Sequence, residues 1–189
     1  AFPISSAGFS TLGIKSIQNT IISKSQSGKK LARQIDGQRF AFTAQIIIGK
    51  RSDVYGELMA FIMKQRSRKE NFTITLPSNN MNALGSETGT LLVNGAHSSA
   101  DTTIAIDGFA SDGTQRLRGG DFIKFAHSKV YMVINDVTSS SNAATVTIEP
   151  PLREALTNNS AVTYDAVPFT VHLTSDVQEF TTSDSDKDG

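Results

Sequence analysis

Residues Gln38–Pro77 read QRFAFTAQIIIGKRSDVYGELMAFIMKQRSRKENFTITLP, and a change of period inside this stretch decides the fold. From Arg39 to Ile48 the pattern alternates: Phe40, Phe42, Ala44, Ile46 and Ile48 share one face of a strand, and Arg39, Thr43 and Gln45 take the other. After Gly49 the spacing becomes helical. Val54, Leu58, Phe61 and Ile62 fall at i, i+4, i+7 and i+8, while Arg51, Glu57, Lys64, Arg66 and Arg68 form the wet side. Ser52 or Asp53 is placed to cap the first amides, and the basic run Lys64–Lys69 lies at the carbonyl end, where cations oppose the helix dipole. Phe72–Leu76 alternates again and Pro77 stops it. The spacing thus predicts strand, helix, strand, with Val54, Leu58, Phe61 and Ile62 as the helix core face over a sheet and Phe61 as a core residue.

Upstream, Ile14–Ser27 is weakly apolar and rich in Ile, Ser and Thr; Ser27-Gly28-Lys29-Lys30 then supplies a turn before Leu31, Arg33 and Ile35. This predicts a long hairpin. Asp36-Gly37 carries the residue types of a type I′ hairpin turn, which needs positive φ at both central positions, so the chain reads as a meander feeding the helix. Lys24, Lys29, Lys30, Arg33 and Arg39 concentrate positive charge on this hairpin and make it the candidate functional surface, facing either nucleic acid or acidic groups of a neighbouring subunit. Alternation puts Arg33 and Ile35 on one face. Lysines on a solvated edge strand, kept there against aggregation, are the structural explanation of the same pattern.

Downstream of Pro77 the composition changes. Ser78–Thr88 is rich in Asn, Ser and Gly and reads as a linker or long loop. Short apolar runs then recur at even spacing: Leu91–Val93, Thr103–Ile106, Phe122–Phe125, Val130–Val137, Ala144–Ile148 and Ala161–Tyr164, separated by Asn94-Gly95, Asp107-Gly108, Asp112-Gly113 and Gly119-Gly120-Asp121. That is the pattern of a small all-β barrel or sandwich. Phe169, Val171 and Leu173 form a last strand, extended by Val177 and Phe180, which we expect to pair with the helix-bearing part. The predicted class is mainly β: a sandwich or barrel with one packed helix, 1–87 and 167–189, into which a small β-barrel, 88–166, is inserted.

The 189 residues suffice for one large domain or two small ones. Eighteen basic and eighteen acidic residues cancel, so no net field recruits nucleic acid or an anionic membrane. Cysteine is absent, which excludes disulfides, thiolate nucleophiles and zinc–thiolate sites. The start Ala1-Phe2-Pro3 lacks a basic, apolar leader and reads as a soluble chain whose initiator Met has been removed.

Chemistry-bearing motifs are sparse. His97, His127 and His172 lie in different segments without a partner at metal-ligand spacing and read as surface or edge-strand residues. No Ser sits in Gly-x-Ser-x-Gly, the acids fall on turns, and no phosphate-binding Gly loop is present, so neither enzyme activity nor a cofactor is expected. Arg118-Gly119-Gly120-Asp121 reads as a turn. Asp184-Ser185-Asp186-Lys187-Asp188-Gly189 matches the first half of an EF-hand loop but lacks the later Glu, and reads as a flexible acidic tail rather than a calcium site.

The order of parts resembles one family. A basic long hairpin, Gln34-Ile35-Asp36-Gly37-Gln38-Arg39-Phe40, a helix ending Phe61-Ile62-Met63-Lys64-Gln65-Arg66 and the strand Asn71–Pro77 are similar to the tail-tube-like ring domain of distal tail proteins of tailed bacteriophages. Gly120-Asp121-Phe122-Ile123-Lys124-Phe125, Lys129-Val130-Tyr131-Met132-Val133 and Thr147-Ile148-Glu149-Pro150-Pro151-Leu152 resemble the β-barrel inserted in some phage tail and baseplate proteins. The resemblance implies a structural virion protein: a homohexameric ring joining the tail tube to the baseplate hub, its hairpins lining the DNA channel and its barrel facing outward. A tail-tube or tube-initiator protein is the alternative of the same class. A virion glycan-binding module is the alternative of another class, with Tyr131 and Tyr164 as its stacking candidates. No carbohydrate-binding domain of the kind many relatives carry at the C-terminus is recognised, so host-surface binding is not implied.

Overall fold

The computed structural model describes residues 2–3, 9–35, 37–46, 56–76 and 82–179. These form a mainly β protein with one helix. Strands β1 (Phe9–Ile17) and β4 (Arg39–Ile46) pair antiparallel, with Ile17 opposite Arg39 and Ile14 opposite Phe42. Strands β2 (Thr20–Lys24) and β3 (Lys30–Gln34) pair beyond them, Thr20 opposite Gln34 and Lys24 opposite Lys30. The meander expected across Asp36-Gly37 is not the observed pairing, because β3 pairs with β2 and β4 with β1; Asp36 itself lies outside the described residues. Ile35 N–H donates to Asn19 O at 3.1 Å, carrying the β2–β3 pairing one residue further towards β1 and β4. The reversal is at Ser25–Lys29, where Ser25 N–H donates to Lys29 O (2.9 Å) and Gly28 takes φ +81°.

Helix α1 is described over Gly56–Lys64, so the expected cap at Ser52 or Asp53, and Val54, lie outside the described residues. Leu58 is buried; Phe61 and Ile62 are only half-buried. Among the described residues an aromatic triplet holds the helix. Phe61 meets Phe72 and Phe2 edge-on, with centroids at 5.1 and 5.5 Å, and Phe2 N–H donates to Thr73 O at 2.9 Å beside strand β5 (Phe72–Thr75). Phe61 is thus at the margin of the core, and Phe61→Ala should cost about 1.5–3 kcal/mol, below the 3–5 of a fully enclosed ring. Lys64→Ala should be nearly silent, and urea unfolding of both variants checks the pair. Past Lys64 the chain turns through Arg66 and Ser67, both at positive φ, and Ser67 Oγ donates to Asp176 O at 3.2 Å.

The largest core lies further along the chain. Strands β6 (Leu92–Val93), β7 (Thr103–Asp107), β8 (Phe122–Lys124), β9 (Val130–Val133) and β10 (Ala143–Glu149) form one sheet in the order β6-β7-β10-β9-β8. Its two outer strands are joined through the extended segment 160–163: Val93 N–H donates to Ser160 O, Val162 N–H to Leu91 O, and Lys124 and Thr163 exchange both bonds at 2.8 Å. That link curls the sheet and pairs part of each outer strand's free edge. Inward positions of the alternating strands, among them Ile104, Ile106, Ile123, Tyr131, Val133, Val146 and Ile148, are fully enclosed.

Strand β11 (Pro168–Val171) pairs with β5, Phe169 opposite Ile74, so the strands flanking the five-stranded unit are neighbours. The expected extension through Val177 is not strand, and Phe180 lies outside the described residues. Residues 84–87, read from sequence as linker, are hydrogen-bonded to the five-stranded unit: Asp121 accepts from Leu84 N–H (2.6 Å) and Gly85 N–H (3.3 Å), and Glu87 N–H donates to Arg116 O (3.0 Å). A second core joins the two halves. The outward residues Phe122 and Val130 of β8 and β9 pack with Phe40, Phe42, Ile74, Leu76, Val167 and Phe169. Period two explains this directly, because β8 and β9 each present one face to each core. Excising 88–166 would therefore remove part of the second core as well as the first.

Candidate functional surface

The ribbon β2–β3 carries most of the expected site and is exposed throughout both strands. Directly opposite residues share a face. One face holds Thr20 and Gln34, Ile22 and Ala32, and Lys24 and Lys30; the other holds Ile21 and Arg33, and Ser23 and Leu31. Lys24 and Lys30 are thus a like-charged cross-strand pair, a destabilising arrangement in isolation, and Lys29 adjoins them. Arg39 is not part of this group: it opposes Ile17 at the ribbon's base. The charged residues of 9–35 are Lys15, Lys24, Lys29, Lys30 and Arg33, all basic.

Apolar exposure here equals charge in interest. Ile21, Ile22, Leu31 and Ile35 are 55–56% exposed, and Ile21 and Ile22 point to opposite faces of the ribbon. A two-stranded ribbon exposed on both faces is marginal in water. Its turn is well made nonetheless, with Ser25 Oγ accepting from Lys29 N–H at 3.1 Å.

At the ribbon's base a lysine of the β8–β9 turn reaches across. The Lys129 ammonium donates to Gln38 O and to Gln38 Oε1 (2.8 Å), and sits 5.6 Å from the centre of the Phe40 ring. Gln38 Nε2 in turn donates to Ser16 Oγ at 2.9 Å, so one buried glutamine links β1, β4 and the five-stranded unit. Burial pushes the Lys129 pKa down, and Arg153 adds to the fall. Nothing in the local sequence Ala126-His127-Ser128-Lys129 announces this contact, because its partner is distant in the chain.

The histidines differ. His172 is exposed. His97, expected at the surface, has a mostly covered side chain: Nε2 accepts Ala105 N–H at 3.1 Å and Nδ1 lies 3.6 Å from Asp101. His127 is half-buried, its Nε2 3.3 Å from the Tyr131 hydroxyl. Among the described residues no three His, Asp or Glu side chains gather as a metal site, and the Asp184–Gly189 tail lies outside them. The two tyrosines considered as glycan-stacking residues are otherwise engaged: Tyr131 is fully enclosed, and the Tyr164 hydroxyl donates to Gly89 O at 2.8 Å. No protein-family model matches the sequence, and no curated protein is significantly similar to it.

Proposed function

We propose that the chain is a structural ring protein of a bacteriophage tail, assembled from several copies, hexameric by the resemblance, between the tail tube and the baseplate hub. The observation that carries this reading is the solvent-exposed ribbon with Ile21, Ile22 and Leu31 uncovered on its two faces. Such a surface suits a protomer whose ribbon is completed by neighbouring copies, because pairing covers the edges and the apolar residues together. The five-stranded unit, by contrast, has both edges partly paired and suits an outward-facing appendage. Spaced cations among Ser, Thr and Gln suit a wall past which DNA moves, since binding to phosphates is then weak and falls with salt.

Mass photometry of the purified chain, with negative-stain microscopy, tests this reading. Closed rings are expected; open-ended tubes would favour the tube-protein alternative. Ile21→Glu with Leu31→Glu should abolish assembly while leaving far-UV circular dichroism and the unfolding midpoint nearly unchanged, since both side chains are exposed in the protomer. A monomer at high micromolar concentration, unaffected by the double substitution, would sink the proposal.

A further inference from the structure

The β8–β9 turn holds two functional groups that the ring reading does not use, Lys129 and His127. Lys129 grips Gln38, the residue before β4, at the base of the ribbon. His127 packs inside the same turn against Phe125 and Tyr131, with ring centroids at 6.2 and 5.5 Å. The Tyr131 hydroxyl oxygen accepts Arg153 N–H at 3.0 Å, which leaves its proton for His127 Nε2. Nδ1 is enclosed without a hydrogen-bond partner.

We propose that this turn is an acid-released clamp: with His127 neutral, Lys129 locks the base of the ribbon to the five-stranded sheet, and charging of His127 opens the turn and frees the ribbon. Protonation turns Nε2 from acceptor to donor against a hydroxyl that is itself donating, while Nδ1–H, already present in the neutral tautomer, still has no acceptor to share the added charge. The charged groups acting on the ring are Glu154, the acid, and the cations Lys124 and Arg153, with Lys129 two residues along the same turn. A further positive charge therefore enters a turn that is already basic. Burial is the largest influence on His127 and pushes its pKa below the ordinary histidine value; Glu154 opposes this, and Lys124 and Arg153 add to it. The sign follows: a folded-state pKa below the unfolded one gives stability that is complete above the unfolded value, near 6.5, and is lost as pH falls through the folded one. The device is independent of the oligomeric reading, since every group it uses lies in one protomer.

Amide hydrogen exchange on the full chain, corrected for intrinsic rates, reads the clamp at residues 38–42. Protection there should fall at least about tenfold between about pH 7.5 and about pH 5 in the native chain. His127→Gln should abolish the response, His97→Gln should keep it, and Lys129→Met should lower protection at both pH values. Should His127→Gln not fold, the native chain still decides: the His127 ring and Gln38 amide resonances must titrate with one midpoint. Unchanged protection at 38–42, a response surviving in His127→Gln, or a Gln38 midpoint following His97 or His172 instead overturns the proposal.

Discussion

Phe169→Ala is expected to destabilise the protein by about 3–5 kcal/mol, the range for removing an enclosed aromatic ring. Phe169 is 4% exposed and is the ring on which three others lean: Phe42 at 4.9 Å, Phe122 at 5.2 Å and Phe40 at 5.9 Å, each edge-on or nearly so. Phe40 and Phe42 come from β4, Phe122 from β8 and Phe169 from β11, so one truncation loosens three sheets. Edge-to-face contacts add about 0.5–1.5 kcal/mol each beyond burial, which places this site at the upper end of the range. Urea unfolding followed by far-UV circular dichroism gives the value. A second signature separates a junction from an ordinary core position: Phe40→Leu and Phe169→Leu should couple in a double-mutant cycle, and so should Phe122→Leu and Phe169→Leu. A loss under about 1 kcal/mol for Phe169→Ala, or additive pairs, would mean that the two halves do not share this core.

The alternation that underlies these contacts was legible because period two survives any tertiary context, although the contacts themselves were not predicted. Phe40 and Phe42 share the inward face of β4 as read from the sequence, and the strands of the five-stranded unit fall within a few residues of the runs that predicted them. Gly108 shows how a turn signal becomes a packing requirement: at φ +85°, a Cβ there would collide with the Thr90 carbonyl. Three things were not legible. The Asp36-Gly37 signal is local, and the pairing of β4 with β1 and β3 with β2 overrode it, since register is set by partners far along the chain. The helix looked central because its apolar spacing is regular, yet periodicity reports a buried face and not how much lies beneath it. The basic hairpin was visible as a candidate surface from composition alone, whereas Lys129 and His127 were not, because their roles depend on Gln38, Tyr131 and Arg153 being brought to them by the fold.

Glu87→Ala is expected to cost about 3–5 kcal/mol, as for breaking a buried ion pair from one side. The Glu87 side chain is fully enclosed and Arg116 nearly so, with Arg116 NH2 2.8 Å and Nε 2.9 Å from Oε2. The other oxygen, Oε1, accepts three backbone amides, Gly89 at 2.5 Å and Thr88 and Ala110 at 2.9 Å. Alanine would leave these amides enclosed without an acceptor and the guanidinium with only its 3.4 Å bond to Ser86 Oγ, and would loosen residues 86–90 against the unit they close. Glu87→Gln keeps the shape but points an amide N–H₂ at Arg116 or at the backbone amides, so it should also be costly. Adding Arg116→Met to Glu87→Gln should recover part of the loss, since the unpaired cation is then gone. Burial pushes the Glu87 pKa up, but the backbone amides of Ala110, Gly89 and Thr88 and the Arg116 side chain outweigh it, and the net direction is down. A carboxylate depressed in the folded state contributes stability that is complete above its unfolded pKa and is lost as pH falls through the folded one. The difference between native chain and Glu87→Gln should therefore be full at about pH 7 and should narrow as pH falls below about 4.5. Urea midpoints measured at a series of pH values decide it: a gap under about 1 kcal/mol at neutral pH, or one that does not narrow in acid, would show that the pair is not what holds this segment to the sheet.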